Sequence, residues 1–351
     1  SVERNTFDAR FGWIAHRGES RSERGFGPFG FVNHIFSTTA KIAYWLWEWY
    51  QMTMDLSFLR EKAYPIIKNA ANFYAHLPLI KEGEDGKLHI FHCNNHEAIW
   101  GGEDTISELS AIHGILPIAV KSAELLKVDE ADVQIWKQLL ETITPIKITS
   151  DADAMLLGTE EGECFSCGST RCYKGSADLD NICDPLYLYD ICTPETRDPH
   201  LRALGARTLQ AIEKGAVTAD GHIRVDTLSL SQEAVARSCD PDAYEAFVKA
   251  GYDDVDYRLD FTDMTGCADT HILENRMSLR EGPQALSVQR QGHLLSSTAN
   301  ALCHAFPPSP GEEPVLYLFS ALPRTWNAFV KMRTAKNYLV EAKRQDGEIT
   351  M

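Results

Sequence analysis

Apolar positions recur at helical spacing along most of this chain, in long stretches paired by short polar links. From Phe31 to about Asp55, Ile35, Ile42, Trp45, Leu46, Trp49 and Tyr50 form an apolar stripe, which predicts a long helix that buries this face. Ser57 stands where an N-cap belongs, ahead of a second helix from Phe58 to about His76 that carries Leu59, Ala63, Ile66, Ile67, Ala70, Ala71 and Phe73. Pro65 inside it predicts a kink or a tight first turn, because proline has no N–H to donate and its ring crowds the preceding turn. Joined by the link MDLS, the two helices make an antiparallel hairpin.

The rhythm continues. A polar turn, KEGEDGK, leads into a short extended piece, LHIFHC, and the loop NNHEAIWGGED precedes a helix from about Thr105 to Leu126. Asp129 opens another, from about Glu130 to Ile143, and further helices are expected at about 184 to 192, 199 to 214, 229 to 237, 241 to 250 and 284 to 305. Pro307, Pro308 and Pro310 then break the pattern, and short strands follow at Val315 to Ser320, Ala328 to Arg333, Asn337 to Ala342 and near Glu348. No self-similar unit of the length used by helical solenoids recurs. The expected fold is therefore mainly α: an (α/α)6-toroid-like helical barrel over residues 1–306, lacking its first hairpin or more, with a small C-terminal β-sheet appendage over residues 307–351.

Composition narrows the partners. The chain has 351 residues, enough for a large core, and a formal charge of −16 that repels nucleic acid phosphates and anionic lipid surfaces. No stretch of eighteen or more uninterrupted apolar residues occurs, so no membrane partner is expected. The opening SVERNTFDARFGW has neither the basic nor the apolar region of a signal peptide. Seven tryptophans suit stacking on sugar rings, although most such rings are core. Nine cysteines, an odd number, cannot all pair within one chain. The dense run Cys164, Cys167, Cys172 lacks a second knuckle for a closed zinc site, leaving a single disulfide or buried thiols as alternatives. No phosphate-binding, dinucleotide, zinc-protease or serine-hydrolase motif is present, so neither a cofactor nor a catalytic metal is expected.

The loop CNNHEAIWGGED gathers acids, amides and an aromatic ring: Asn94, Asn95, His96, Glu97, Trp100, Glu103 and Asp104. Glu97 sits among Ala98, Ile99 and Trp100, surroundings that raise a carboxyl pKa toward the value a proton donor needs. Glu103 and Asp104 are equally suited to contact a ligand or to cap the helix that follows, where carboxylates meet the positive end of the dipole.

Three segments carry a family resemblance. Residues 43 to 74, AYWLWEWYQMTMDLSFLREKAYPIIKNAANFY, resemble the helix, short turn and helix of glycoside hydrolase family 95, the α-L-fucosidase-like enzymes of the six-hairpin toroid. EDTISELSAI resembles the start of the helix after that family's acid loop, and LYLFSALPRTW with VKMRTAKNYLVEAKRQDGEI is similar to its last strands. The resemblance implies an O-glycosyl hydrolase, expected to invert, that acts on an oligosaccharide or polysaccharide side chain in a secreted or periplasmic setting. The family's acid is the glutamate of an S-P-E-N loop, and Glu97 occupies the corresponding place.

Two departures stand out. Where the family has the aspartate of Q-I-D-G-N, this chain has Gln291, and an amide cannot take a proton at neutral pH. Asp269, Glu274 and Glu281 are the substitutes on the preceding segment; Asp269, beside His271, is the first candidate base, and His293 joins the candidate contacts. The chain also opens near the family's N-T-D loop, so Asp8, Arg10 and Trp13 become candidate substrate contacts. A non-catalytic carbohydrate-binding or scaffold protein derived from such an enzyme is the alternative that Gln291 suggests.

Overall fold

The computed structural model describes residues 35–95, 99–149, 163–168, 182–216, 228–253, 271–272, 278–279 and 288–350. Helix α1 (Thr38–Thr53) buries Ala40, Ala43, Tyr44, Trp47 and Tyr50, one face at three- and four-residue spacing. This corrects the stripe expected above: Ile42, Trp45 and Trp49 are exposed, the two tryptophans by 58% and 56%. Small alanines with Tyr44, Trp47 and Tyr50 mark the buried face. The helix ends at Met54 in the left-handed region, its N–H returning to the Tyr50 carbonyl.

Asp55, not Ser57, caps the next segment. Its Oδ1 accepts from the N–H groups of Ser57 and Phe58 at 2.9 and 3.0 Å, so the helix begins two residues earlier than expected. The turn Leu56–Phe58 runs into a π-helical turn, Leu59–Ala63, and then α2 (Tyr64–Ala75), with Pro65 in its first turn. Widening the backbone just before Pro65 accommodates the missing N–H without a break.

Strands β1 (Ile80–Glu82), β2 (Leu88–Asn95) and β3 (Ile99–Glu103) form an antiparallel meander. Next comes α3 (Ile106–Leu126), buried on nearly every side. By length and composition α3 could cross a membrane, but it lies packed in the core, against α1, α2 and α4 (Glu130–Thr142). Trp136 of α4 is fully buried and donates its indole N–H to Asn72 of α2 at 2.8 Å.

A short antiparallel pair, β4 (Ile148–Thr149) and β5 (Cys164–Phe165), leads to a second group of helices. These are α5 (Asp184–Tyr187), α6 (Pro199–Ala216), α7 (Leu228–Arg237) and α8 (Pro241–Asp253). Helix α5 stops well before residue 192 because Tyr189 and Asp190 both adopt positive φ. Beyond the β6 (His271–Ile272) and β7 (Ser278–Leu279) pair lies α9 (Val288–Leu302).

Helix α9 ends earlier than its sequence suggests. Residues 303–306 leave it to form β8 (Cys303–Phe306), antiparallel to β9 (Val315–Leu318) across the proline-rich turn. The chain closes with the sheet β10 (Ala328–Thr334), β11 (Tyr338–Gln345) and β12 (Glu348–Thr350), whose small core of Val330 and Ala342 joins Cys303, Phe319 and Leu322. The described residues are thus mainly helical, with small sheets.

The first hydrophobic core gathers α1 to α4 and takes in the segment after α5, with Leu188, Tyr189 and Ile191 packed beside Ile112 and Ile115 of α3. Tyr189 lies against Gly114, and a Cβ at Gly114 would fall 2.1 Å from the Tyr189 Cβ. Neither atom sits at the end of a flexible side chain, so the backbones must separate. Gly114→Ala should cost about 1–3 kcal/mol in urea unfolding, as overpacked cores do, despite alanine's better helix propensity. Unchanged or increased stability would show that the contact is not tight.

Candidate functional site

The β2–β3 hairpin sits at the head of α3, and buried polar side chains hold it there. Asp104 is fully enclosed: its Oδ1 accepts from the Ile90 N–H at 3.0 Å, while Oδ2 meets His89 Nδ1 at 2.6 Å and the Lys147 ammonium at 3.1 Å. His89 in turn reaches Asp85 through Nε2 at 2.9 Å. Burial pulls the His89 pKa down, yet the Asp104 and Asp85 carboxylates outweigh it and leave the imidazole raised above its ordinary value. His89, Glu103 and Asp104 bring three potential ligand atoms together in the manner of a metal site, but the Lys147 ammonium already supplies the positive charge at the Asp104 carboxylate.

Two asparagines finish the hairpin. Asn94 Oδ1 accepts from the Gly101 N–H at 2.7 Å, tying the strands across the turn. Asn95 Oδ1 accepts from the Ser107 N–H at 3.4 Å, meeting one of the unpaired donors in the first turn of α3. Thr105, the residue at the N-cap position, makes no side-chain cap of its own. Asn95 is wholly buried, and its Nδ2 has no hydrogen-bond partner among the described residues.

One turn into α3 lies Glu108, fully buried on an otherwise apolar helix face. Its Oε1 accepts from the N–H groups of Phe36 and Ser37 at 2.9 and 3.0 Å, and its Oε2 from the Tyr74 hydroxyl at 2.8 Å. Glu108 therefore caps α1 from a different helix, and through Tyr74 also holds α2. Burial pushes its carboxyl up to about 7, against the three hydrogen bonds that favour the anion. The sequence did carry a sign of it: in ISELSAIHGIL, Glu108 is the only acid in an apolar run.

The sequence-derived candidates divide among three regions. Asn94, Asn95, Glu103 and Asp104 come together at the hairpin, where Asp104 positions β2 and does not cap α3. Trp100 lies on β3, and β2 and β3 flank the segment containing His96 and Glu97, both of which lie outside the described residues. So do Asp8, Arg10, Trp13, Asp269 and Cys172. His271 is on β6 and Gln291 on α9, while Cys164 and Cys167 are buried at and just beyond β5. His293 of α9 faces Glu233 of α7, with Nδ1 and Oε1 3.4 Å apart, and Asn300 donates to the same carboxylate at 2.9 Å.

Comparison with known proteins fits the hairpin. Residues 5–155 match the glycosyl hydrolase family 95 catalytic domain, so the chain is related to that family over this stretch, which is less than half of its length. No curated protein matches the chain. The matched stretch covers α1 to α4 and the β2–β3 hairpin and stops short of Asp269, His271, Gln291 and His293. It supports glycoside hydrolase chemistry and a carbohydrate ligand as the broad class.

Glu108 makes the stability of this region depend on pH. An acid whose folded pKa is raised from 4.5 to about 7 stabilises the fold fully below the unfolded value, and that contribution is lost as pH rises through the folded one. Relative to Glu108→Gln, the native chain should lose stability between about pH 4.5 and pH 7. Glu108→Ala should cost at least about 3 kcal/mol, since it orphans two buried N–H groups and a hydroxyl. Urea unfolding at several pH values measures both; parallel pH profiles for the native and Gln chains would refute the raised pKa.

Proposed function

We propose that this chain hydrolyses glycosidic bonds as an α-L-fucosidase-like enzyme acting on a side chain of an oligosaccharide or polysaccharide. In this reading, residues 1–306 belong to the catalytic (α/α) toroid, and residues 307–351 are its β appendage. The observation that carries it is the family 95 match across residues 5–155, which includes the Glu97 segment between β2 and β3.

Glu97 is the general acid. It protonates the leaving glycosidic oxygen as the bond to the anomeric carbon breaks, and a water attacks from the opposite face of the ring. A second carboxylate accepts the water's proton, and Asp269 takes that role because Gln291 cannot. The two carboxyls of an inverting site stand about 6.5–9.5 Å apart, leaving room for that water. Asn94, Asn95, His96, Trp100, Glu103, Asp8, Arg10, Trp13, His271, Gln291 and His293 make up the substrate contacts, and Asp104 contributes by fixing the hairpin.

Replacing Glu97 with Gln should lower kcat on a natural oligosaccharide by about 10²–10⁴-fold. The loss should be smaller on an aryl glycoside, whose leaving group needs little protonation, and the first-formed product should have the inverted anomeric configuration by NMR. Undiminished turnover of the natural oligosaccharide would remove Glu97 from the role. Sugar binding without release of any product would favour the carbohydrate-binding alternative that Gln291 suggests.

A further inference from the structure

The C-terminal sheet carries a charge opposite to that of the chain it closes. The whole chain has a formal charge of −16, yet from Ala328 to Gln345 five basic residues, Lys331, Arg333, Lys336, Lys343 and Arg344, stand against one acid, Glu341. Successive side chains of a strand point to opposite faces, and here the two faces differ sharply. Val330 of β10 and Ala342 of β11 turn to the core, as does Arg344, which binds the carbonyls of Leu322, Pro323 and Trp326. Phe329, Lys331 and Arg333 of β10 turn outward with Leu339, Glu341 and Lys343 of β11, and all six are exposed.

The register makes these six into three cross-strand pairs: Phe329 with Lys343, Lys331 with Glu341, and Arg333 with Leu339. Lys331 and Glu341 form an ion pair at 2.6 Å, so the middle of the face is balanced and the excess positive charge lies at Lys343 and Arg333. Each of these cations stands beside an apolar side chain open to solvent, Phe329 at 59% and Leu339 at 61% exposure. Directly opposed side chains have Cβ atoms about 4.5–5.5 Å apart. A ligand group resting on the Phe329 ring is therefore within reach of the Lys343 ammonium.

A cation next to an apolar surface suits a ring with a carboxylate at its edge and C–H groups on its face. Two such pairs on one flat face suit a chain of these rings. A nucleic acid duplex would offer the face mainly phosphates, and its dense charge is repelled by the rest of this acidic molecule. We propose that the outer face of β10 and β11 binds a linear anionic polysaccharide of the uronic acid type. The assignment rests on charge complementarity and on the carbohydrate class that the family 95 match supports; it does not require turnover at Glu97.

Affinity electrophoresis and calorimetry of the intact chain with polygalacturonate test this, with the fully methyl-esterified polymer as uncharged control and a single-stranded oligodeoxythymidylate as rival polyanion. Polygalacturonate should bind saturably, and more weakly as salt is raised. Lys343→Glu and Phe329→Ala replace exposed side chains, and thermal melting confirms that both fold. Each should raise the dissociation constant tenfold or more. Absence of saturable binding, equal binding of the methyl ester, tighter binding of the oligodeoxythymidylate, or full affinity in both variants would each overturn the assignment. Turnover of a small neutral oligosaccharide should be the same in the native chain and both variants, and its absence from all three would count against the Glu97 reading while leaving the sheet's binding to stand on its own.

Discussion

The first core is organised around one carboxyl group that water does not reach. Glu108 takes two backbone N–H groups at the start of α1 and the hydroxyl of Tyr74 on α2, so three helices share a single acceptor. Each of those donors would be a buried orphan without it, and buried orphans cost more than most hydrogen bonds return. The hairpin lies directly upstream on the same helix and is fastened to its first turn by Asn95. The ends of β2 and β3 are thus tied to the same helix whose Glu108 aligns α1, α2 and α3.

Much of the helical architecture was legible because amphipathic periodicity is a local property. α3, α4, α6, α7 and α8 begin and end within a few residues of their expected limits, and so do the terminal strands. The failures came where a distant partner decides. Residues 303–306 read as helix until their pairing with Val315–Leu318 is known. The buried face of α1 was assigned to its biggest side chains, whereas close helix packing selected Ala40, Ala43 and Tyr44 and turned Trp45 and Trp49 outward.

The site was legible in kind more than in detail. Asp104 reads equally well as a cap or a ligand contact, because nothing local reveals that His89 and Lys147 will converge on it from β2 and from beyond α4. Glu233, Asp190 and Arg237 carry no motif, yet they are buried and hold side chains from other helices. Tyr44 and Arg237 both bind Asp190, linking α1 to α7 across the molecule. A charge pair so far from water is a poor source of stability by itself, but it specifies which helices meet.

The π-helical turn before Pro65 has a consequence for how the helical hairpin tolerates change. By carrying one residue more than a regular turn, Leu59–Ala63 uncouples the rotational phase of α2 from its starting point at Asp55. The face α2 offers to α3 is then set by side-chain fit and not by counting residues from the cap. That turn is the place where the chain can gain or shed a single residue and still leave Ile67, Ala71 and Tyr74 pointing inward.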